Sequence, residues 1–97
     1  MALSGSSRND RNESNPFHHE TLLRFALPVD DPEPSLDVFD VQGRQIVSLV
    51  HGPLSAGWHS VRWNGVDRHG TPAVAGVYFA RLRSGATFQV KRIVLTR

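Results

Sequence analysis

At 97 residues the chain is long enough for one domain. It contains no cysteine, which excludes disulfides and thiolate-bound zinc, and no run approaches the ~20 apolar residues needed to span a bilayer. The formal net charge of +2 hides an asymmetry: residues 1–67 carry nine acids and five arginines, while residues 68–97 carry six Lys or Arg and no acid. Such a distribution marks either an anionic contact or a solvated strand face. The basic residues are interleaved with strand residues and not massed in one patch, which favours the solvated face.

Residues 1–14 are dominated by Ser, Asn, Arg and Asp, and read as a flexible polar tail or linker that cannot bury enough surface to offset its ordering. Met1-Ala2-Leu3-Ser4 lacks the charged and apolar regions of a signal peptide. A folded domain over 15–97 then begins at Asn15-Pro16-Phe17.

Thr21 to Leu27 alternates, with Leu23, Phe25 and Leu27 on one face, as a half-buried strand requires. Pro28 ends it, and Asp30 to Pro34 is a loop whose prolines remove ladder donors. Ser35 to Asp40 is a second strand with Leu36 and Val38 inward and Phe39 outward. Asp40-Val41-Gln42-Gly43 is a tight turn by its first and fourth residues. The return strand, Arg44 to Val50, has apolar residues that do not alternate cleanly, which predicts a bulge or burial on both faces.

Gly52 to Gly57 connects to a fourth strand, Trp58 to Trp63, with His59, Val61 and Trp63 assigned to the core. Asn64-Gly65 is a turn signal, Asp67 to Gly70 a second polar loop, and Thr71 to Ala75 a place for a brief edge strand. Gly76 to Arg83 is a strand with Tyr78, Ala80 and Leu82 inward and Phe79, Arg81 and Arg83 outward. Thr87 to Thr96 is the last strand, and its period breaks at Lys91-Arg92, which predicts a bulge. Short strands at this spacing, without a helical period, predict an all-β sandwich of two antiparallel sheets and about seven strands.

Chemistry is sparse. His18 and His19 are adjacent and in a strand would point apart; His51, His59 and His69 lie on separate elements, so no histidine metal site is expected. His59, among core residues, reads as a buried hydrogen-bonding group. Asn64 and Asp67 could contribute to an oxygen cage for calcium, but short polar side chains at turns bond first to their own backbone. No nucleophile–base–acid arrangement, paired-carboxylate cleft, P-loop or dinucleotide motif is present, and neither an enzyme nor a cofactor is expected. Trp58, Phe79 and Phe39 on outward faces would suit carbohydrate stacking or protein docking, or ordinary cross-strand pairing beneath arginine stems.

In joint order and spacing these segments resemble the C-terminal sorting domains of type IX secretion, and equally the immunoglobulin-like domain of the flagellar hook-capping protein. The resemblance is carried by Asn15-Pro16-Phe17 with Leu23–Pro28, by Val38–Arg44, by Gly57-Trp58-His59 through Trp63-Asn64-Gly65, by Asp67 and Gly70 with Ala75–Phe79, and by Lys91–Leu95. It implies an immunoglobulin-like or fibronectin-III-like sandwich. It also implies a non-catalytic sorting and anchoring role for an exported protein, in the periplasm, at the outer-membrane surface or outside the cell. The partners implied are secretion-machinery proteins and a cargo domain beyond these residues, with no nucleic acid and at most weak self-association. The final strand then becomes the recognition element: Lys91, Arg92, Ile93, Val94, Leu95 and Arg97, a terminal strand that can be lent to a partner sheet. Two alternatives stand beside it. One is a structural immunoglobulin-like module of a surface or hook-cap assembly; the other is a carbohydrate-binding module using Trp58 and Phe79.

Overall fold

In the computed structural model, which describes residues 2–6 and 16–96, eight strands and no helix are found among the described residues. They are β1 (Ala2–Ser6), β2 (Pro16–Phe17), β3 (Thr21–Leu27), β4 (Ser35–Asp40), β5 (Gln45–His51), β6 (Gly57–Trp63), β7 (Gly76–Ser84) and β8 (Thr87–Leu95). Two sheets form, ordered β1-β3-β6 and β2-β8-β7-β4-β5. The six strands from β3 to β8 pair antiparallel, and two-residue β2 adds in parallel to β8. The count therefore differs from the expected seven: six strands make the body and two short ones extend its edges.

The alternation read from the sequence sets the faces. Leu23, Phe25 and Leu27 from β3 meet Leu36 and Val38 from β4, Tyr78, Ala80 and Leu82 from β7, and Ile93 and Leu95 from β8 in one buried cluster with Trp63. Each fully buried Leu or Phe is worth about 1.5–3 kcal/mol relative to exposure. Across the sandwich, Trp63 of β6 meets Tyr78 of β7 edge to face, with ring centroids 5.3 Å apart and planes at 69°.

Three expectations change. Ala2–Ser6, within the stretch expected to be a flexible tail, is a strand paired to β3, with Leu3 packed against the core. The edge of β3 offers unsatisfied backbone groups, and one leucine among small residues is enough to anchor a strand there. Second, β8 carries no bulge at Lys91-Arg92: its register with β7 runs unbroken from Gly76↔Leu95 to Ser84↔Thr87. The period looked broken because Val90 and Val94 are apolar on the outer face while Lys91 takes an inner position. Third, Thr71 to Ala75 contributes only an isolated bridge, Val66↔Pro72, and no strand. The irregularity expected in the return strand is present: β4 and β5 shift register between Leu36 and Asp37 and again between Val38 and Phe39.

Two loops are built alike from an Asp-x-x-Gly-x sequence. In the first, the Gly43 N–H donates to the Asp40 carbonyl at 3.0 Å, and the Gln42 and Arg44 N–H groups each donate to Asp40 Oδ1 at 2.9 Å. In the second, the Gly70 N–H donates to the Asp67 carbonyl at 3.0 Å, and the His69 and Thr71 N–H groups donate to Asp67 Oδ1 at 2.8 and 3.0 Å. Gly43 and Gly70 have φ of +85° and +84°, a region in which a side chain is strained. The Arg44 N–H holds the Asp40 carboxyl below its ordinary value, helped by the Arg44 guanidinium, whose Nε lies 2.8 Å from Oδ2. The Thr71 and His69 N–H groups do the same for Asp67.

The long connection from β6 to β7 is tied down at both ends by the central aromatics. Trp63 Nε1 donates to the Val66 carbonyl at 2.9 Å, and the Tyr78 hydroxyl donates to the Val74 carbonyl at 2.6 Å.

Trp63→Ala is expected to cost about 3–5 kcal/mol, a large part of the ~5–15 kcal/mol that holds such a domain together. Tyr78→Phe, which loses only the hydroxyl bond, should cost about 0.5–1.5 kcal/mol; urea denaturation monitored by circular dichroism separates the two. Asp67→Ala should lower the melting temperature at neutral pH. Because the folded carboxyl titrates below its ordinary 3.8, its contribution is complete above that value and fades as the pH falls below it. The gap between wild type and variant should therefore narrow in melts taken progressively below pH 3.8.

Candidate functional site

The terminal strand divides by face. Ile93 and Leu95 are 0% and 1% exposed and lie in the central cluster, so in the folded domain they have no surface to offer a partner. Lys91 shares their inward direction but is half-buried. Five strands face three, so the margin of the larger sheet is not covered, and a lysine there can bury its stem and keep its head in water. Arg92 and Val94 point outward, Arg92 exposed and Val94 half-buried. Arg97 lies outside the described residues. The structure thus brings Arg92 and Val94 to one surface and places Lys91, Ile93 and Leu95 on the other side of the strand.

The outer face of the larger sheet continues from Arg92 and Val94. In its rows Phe39 pairs with Phe79 and Phe79 with Arg92, Asp37 with Arg81 and Arg81 with Val90, and Arg83 with Phe88. The Arg81 guanidinium carbon sits 4.6 Å from the Phe39 ring centroid and 5.4 Å from that of Phe88. Arginine therefore covers aromatic rings across strands at Phe39 and Phe88, and Phe79 stands opposite Phe39 in the register.

Trp58, by contrast, is on the outer face of β6 in the smaller sheet, 61% exposed, with the Arg24 guanidinium 5.0 Å from its ring centroid. Trp58 and Phe79 therefore lie on different sheets. A saccharide platform needs rings on one surface, and this pair does not make one.

The other polar groups are engaged in folding. His59 is half-buried, stacks on Phe25 at 5.4 Å and shares a 2.8 Å hydrogen bond with the Ser55 carbonyl. The His18 ring is 3.0 Å from the Thr96 hydroxyl. Asp67, offered by the sequence as a cation ligand, already accepts two backbone N–H bonds through Oδ1, and among the described residues no cluster of three metal-ligating side chains occurs. Asp31 accepts from the Ser84 hydroxyl and the Glu33 N–H, which hold its carboxyl below the ordinary value. It also exchanges two backbone bonds with Leu54, each 2.9 Å. A shallow open groove lies between these segments, lined by Asp30, Asp31, Pro32, Pro53, Leu54 and Ser55. Its lining carries no histidine or lysine to serve as the base for a nucleophile.

The loop at Asp67 has a further role that the sequence did not signal. The Arg68 N–H donates to the Ile46 carbonyl at 3.0 Å and Arg68 Nη2 to the Gln45 carbonyl at 2.6 Å. These bonds cover the start of the free edge of β5 and remove acceptors that another chain could use.

Comparison with known proteins agrees with this geometry. No curated protein matches the chain in sequence. The crystal structure of FlgD from P. aeruginosa superposes with a TM-score of 0.58 at 20% identity, covering 95% of this chain and 65% of that one, so the present chain spans about two thirds of its length. At that identity the likeness speaks for the fold alone. The model of the FlgD Ig-like domain matches residues 12–86, which takes in every strand from β2 to β7 and leaves out β8. With a match over most of its length, and a two-sheet antiparallel sandwich to go with it, the chain belongs to the FlgD Ig-like domain family.

Proposed function

We propose that the chain is a non-catalytic structural module of a surface or flagellar hook-cap assembly, acting through contacts with other proteins. The family match over residues 12–86 carries the reading. The sandwich supports it: the carboxylates of Asp31, Asp40 and Asp67 are committed to turns and loop anchors, and its outer faces hold aromatic and basic side chains. A module of this kind would work outside the inner membrane, in the periplasm, at the outer-membrane surface or beyond it. The sorting role for type IX export rests on motif resemblance alone, whereas the hook-cap reading has the family match behind it.

The test is co-sedimentation of the purified chain with isolated flagellar hooks or hook subunits from its host. Retention with a dissociation constant near the micromolar range, about −8 kcal/mol, is the expected result. Absence of retention, together with export of a reporter fused to the chain by a type IX host, would reverse the order of the two readings.

Deleting the terminal strand is a poor probe in either assay, because it removes Ile93 and Leu95 from the core. Ile93→Ala should cost about 2–5 kcal/mol of stability. Arg92→Ala should change it by less than about 0.5 kcal/mol. Denaturant midpoints check both, and only the second substitution can report on recognition.

A further inference from the structure

A β-sandwich needs one apolar face per sheet, yet the larger sheet here is apolar on both. Its inner face is covered by β1-β3-β6. Its outer face carries Phe39, Phe79 and Val94 half-buried, and Phe88 and Val90 exposed at 54% and 60%. Among these stand Arg81, Arg83 and Arg92, and on the same rows one acid, Asp37. Exposed apolar surface interleaved with uncompensated charge of one sign is costly in isolation and useful at an interface.

Arg81 is the informative residue. Its guanidinium lies between the Phe39 and Phe88 rings, and its Nε is buried without a hydrogen-bond partner. Asp37 is its neighbour across β4 and β7, but among the described residues no ion pair joins Arg81 to a carboxylate. The guanidinium is thus fixed by stacking, desolvated on one edge and unpaired. A guanidinium held flat in this way is pre-organised for bidentate pairing with a carboxylate.

We propose that the outer face of β8-β7-β4 docks a protein segment that presents carboxylates among apolar side chains. Arg83 and Arg81 are two residues apart on one strand, a spacing of about 7 Å. Arg92 is diagonal to Arg81 across the β7–β8 pair, at about 7–8 Å. Carboxylates on alternate residues of an extended segment share one face and match that spacing, and apolar side chains at the next positions of the same alternation lie over Phe79, Val90 and Phe88. A single-stranded nucleic acid is a poorer fit, because it binds by stacking bases on free ring faces and the Phe39 and Phe88 rings here already carry a guanidinium. The inference does not rest on the hook-cap reading; it concerns which face binds, in whatever assembly the module serves.

The experiment is a titration of the full ¹⁵N-labelled chain with the peptide acetyl-Leu-Ser-Glu-Ser-Glu-Ser-Leu-amide, whose Leu and Glu side chains share one face when extended. The analogue with Gln in place of Glu and a uridine dodecamer serve as comparison ligands, and sedimentation is run on the protein alone. Amide shifts confined to Phe79, Arg81, Arg83, Phe88, Val90 and Arg92 are expected, with affinity falling at least fivefold between 50 and 300 mM salt, on the order that screening of an exposed contact implies. Arg81→Gln and Arg92→Gln should each weaken binding about tenfold, one charge-assisted contact being worth ~1.4 kcal/mol, while Arg24→Gln on the other sheet should not. Arg92 is exposed and outside the core, so its variant remains informative if Arg81→Gln fails to fold. The proposal is overturned by any of four results: no response of these amides, equal binding of the Gln analogue, tighter binding of the dodecamer, or self-association through the same amides.

Discussion

The contact between Trp63 and Tyr78 is the constraint from which the arrangement follows. One ring comes from each sheet, they meet edge to face at 5.3 Å, and each is nearly or fully buried. The geometry places the positive edge of one ring against the negative face of the other and is worth about 0.5–1.5 kcal/mol beyond the area it buries. Both side chains also have a polar tip that must find a partner when buried. The two tips find carbonyls at opposite ends of the same connection, Val66 and Val74. One pair of residues thus holds the sheets together and anchors the chain segment that crosses between them.

That anchored segment carries the second of the two Asp-x-x-Gly-x loops. A carboxylate that accepts two nearby N–H groups fixes the loop without help from the core, which is why the motif recurs in the same form at Asp40 and Asp67. At Asp67 the local device has a distant effect. The loop it shapes delivers Arg68 to the carbonyls of Gln45 and Ile46, so that the free edge of β5 is partly capped from another element.

The aromatic and basic residues follow one logic on the larger sheet and another on the smaller. On the larger sheet, arginine sits over phenylalanine across neighbouring strands, and the face remains apolar and positively charged. On the smaller, Arg24 covers Trp58, and Arg62 pairs with Glu20 at 3.3 Å, so charges there are closer to balance. The charge asymmetry along the chain becomes an asymmetry between faces. Every basic residue after His69 lies on β7, β8 or the chain end, and both strands belong to the larger sheet.

Much of this was legible in the residues. Alternation at Leu23/Phe25/Leu27 and Tyr78/Ala80/Leu82 names the inward faces because a strand has period two and one face must leave water. Asp and Gly at fixed offsets name the turns because few residues meet those backbone demands. Outer-face apolar residues confuse the same rule: Val90 and Val94 beside Lys91 imitate a broken period, and only the unbroken register with β7 shows which side each residue takes. Partnering across sequence distance was beyond reach. The strand at Ala2–Ser6 exists because β3 has an open edge, Arg68 caps β5 because a loop brings it there, and the Arg81 stack joins residues from three strands. Local sequence determined the strands, turns and inward faces through steric and hydrophobic period. The tertiary structure alone decided which side of the terminal strand is available to a partner, because burial depends on what the opposite sheet covers.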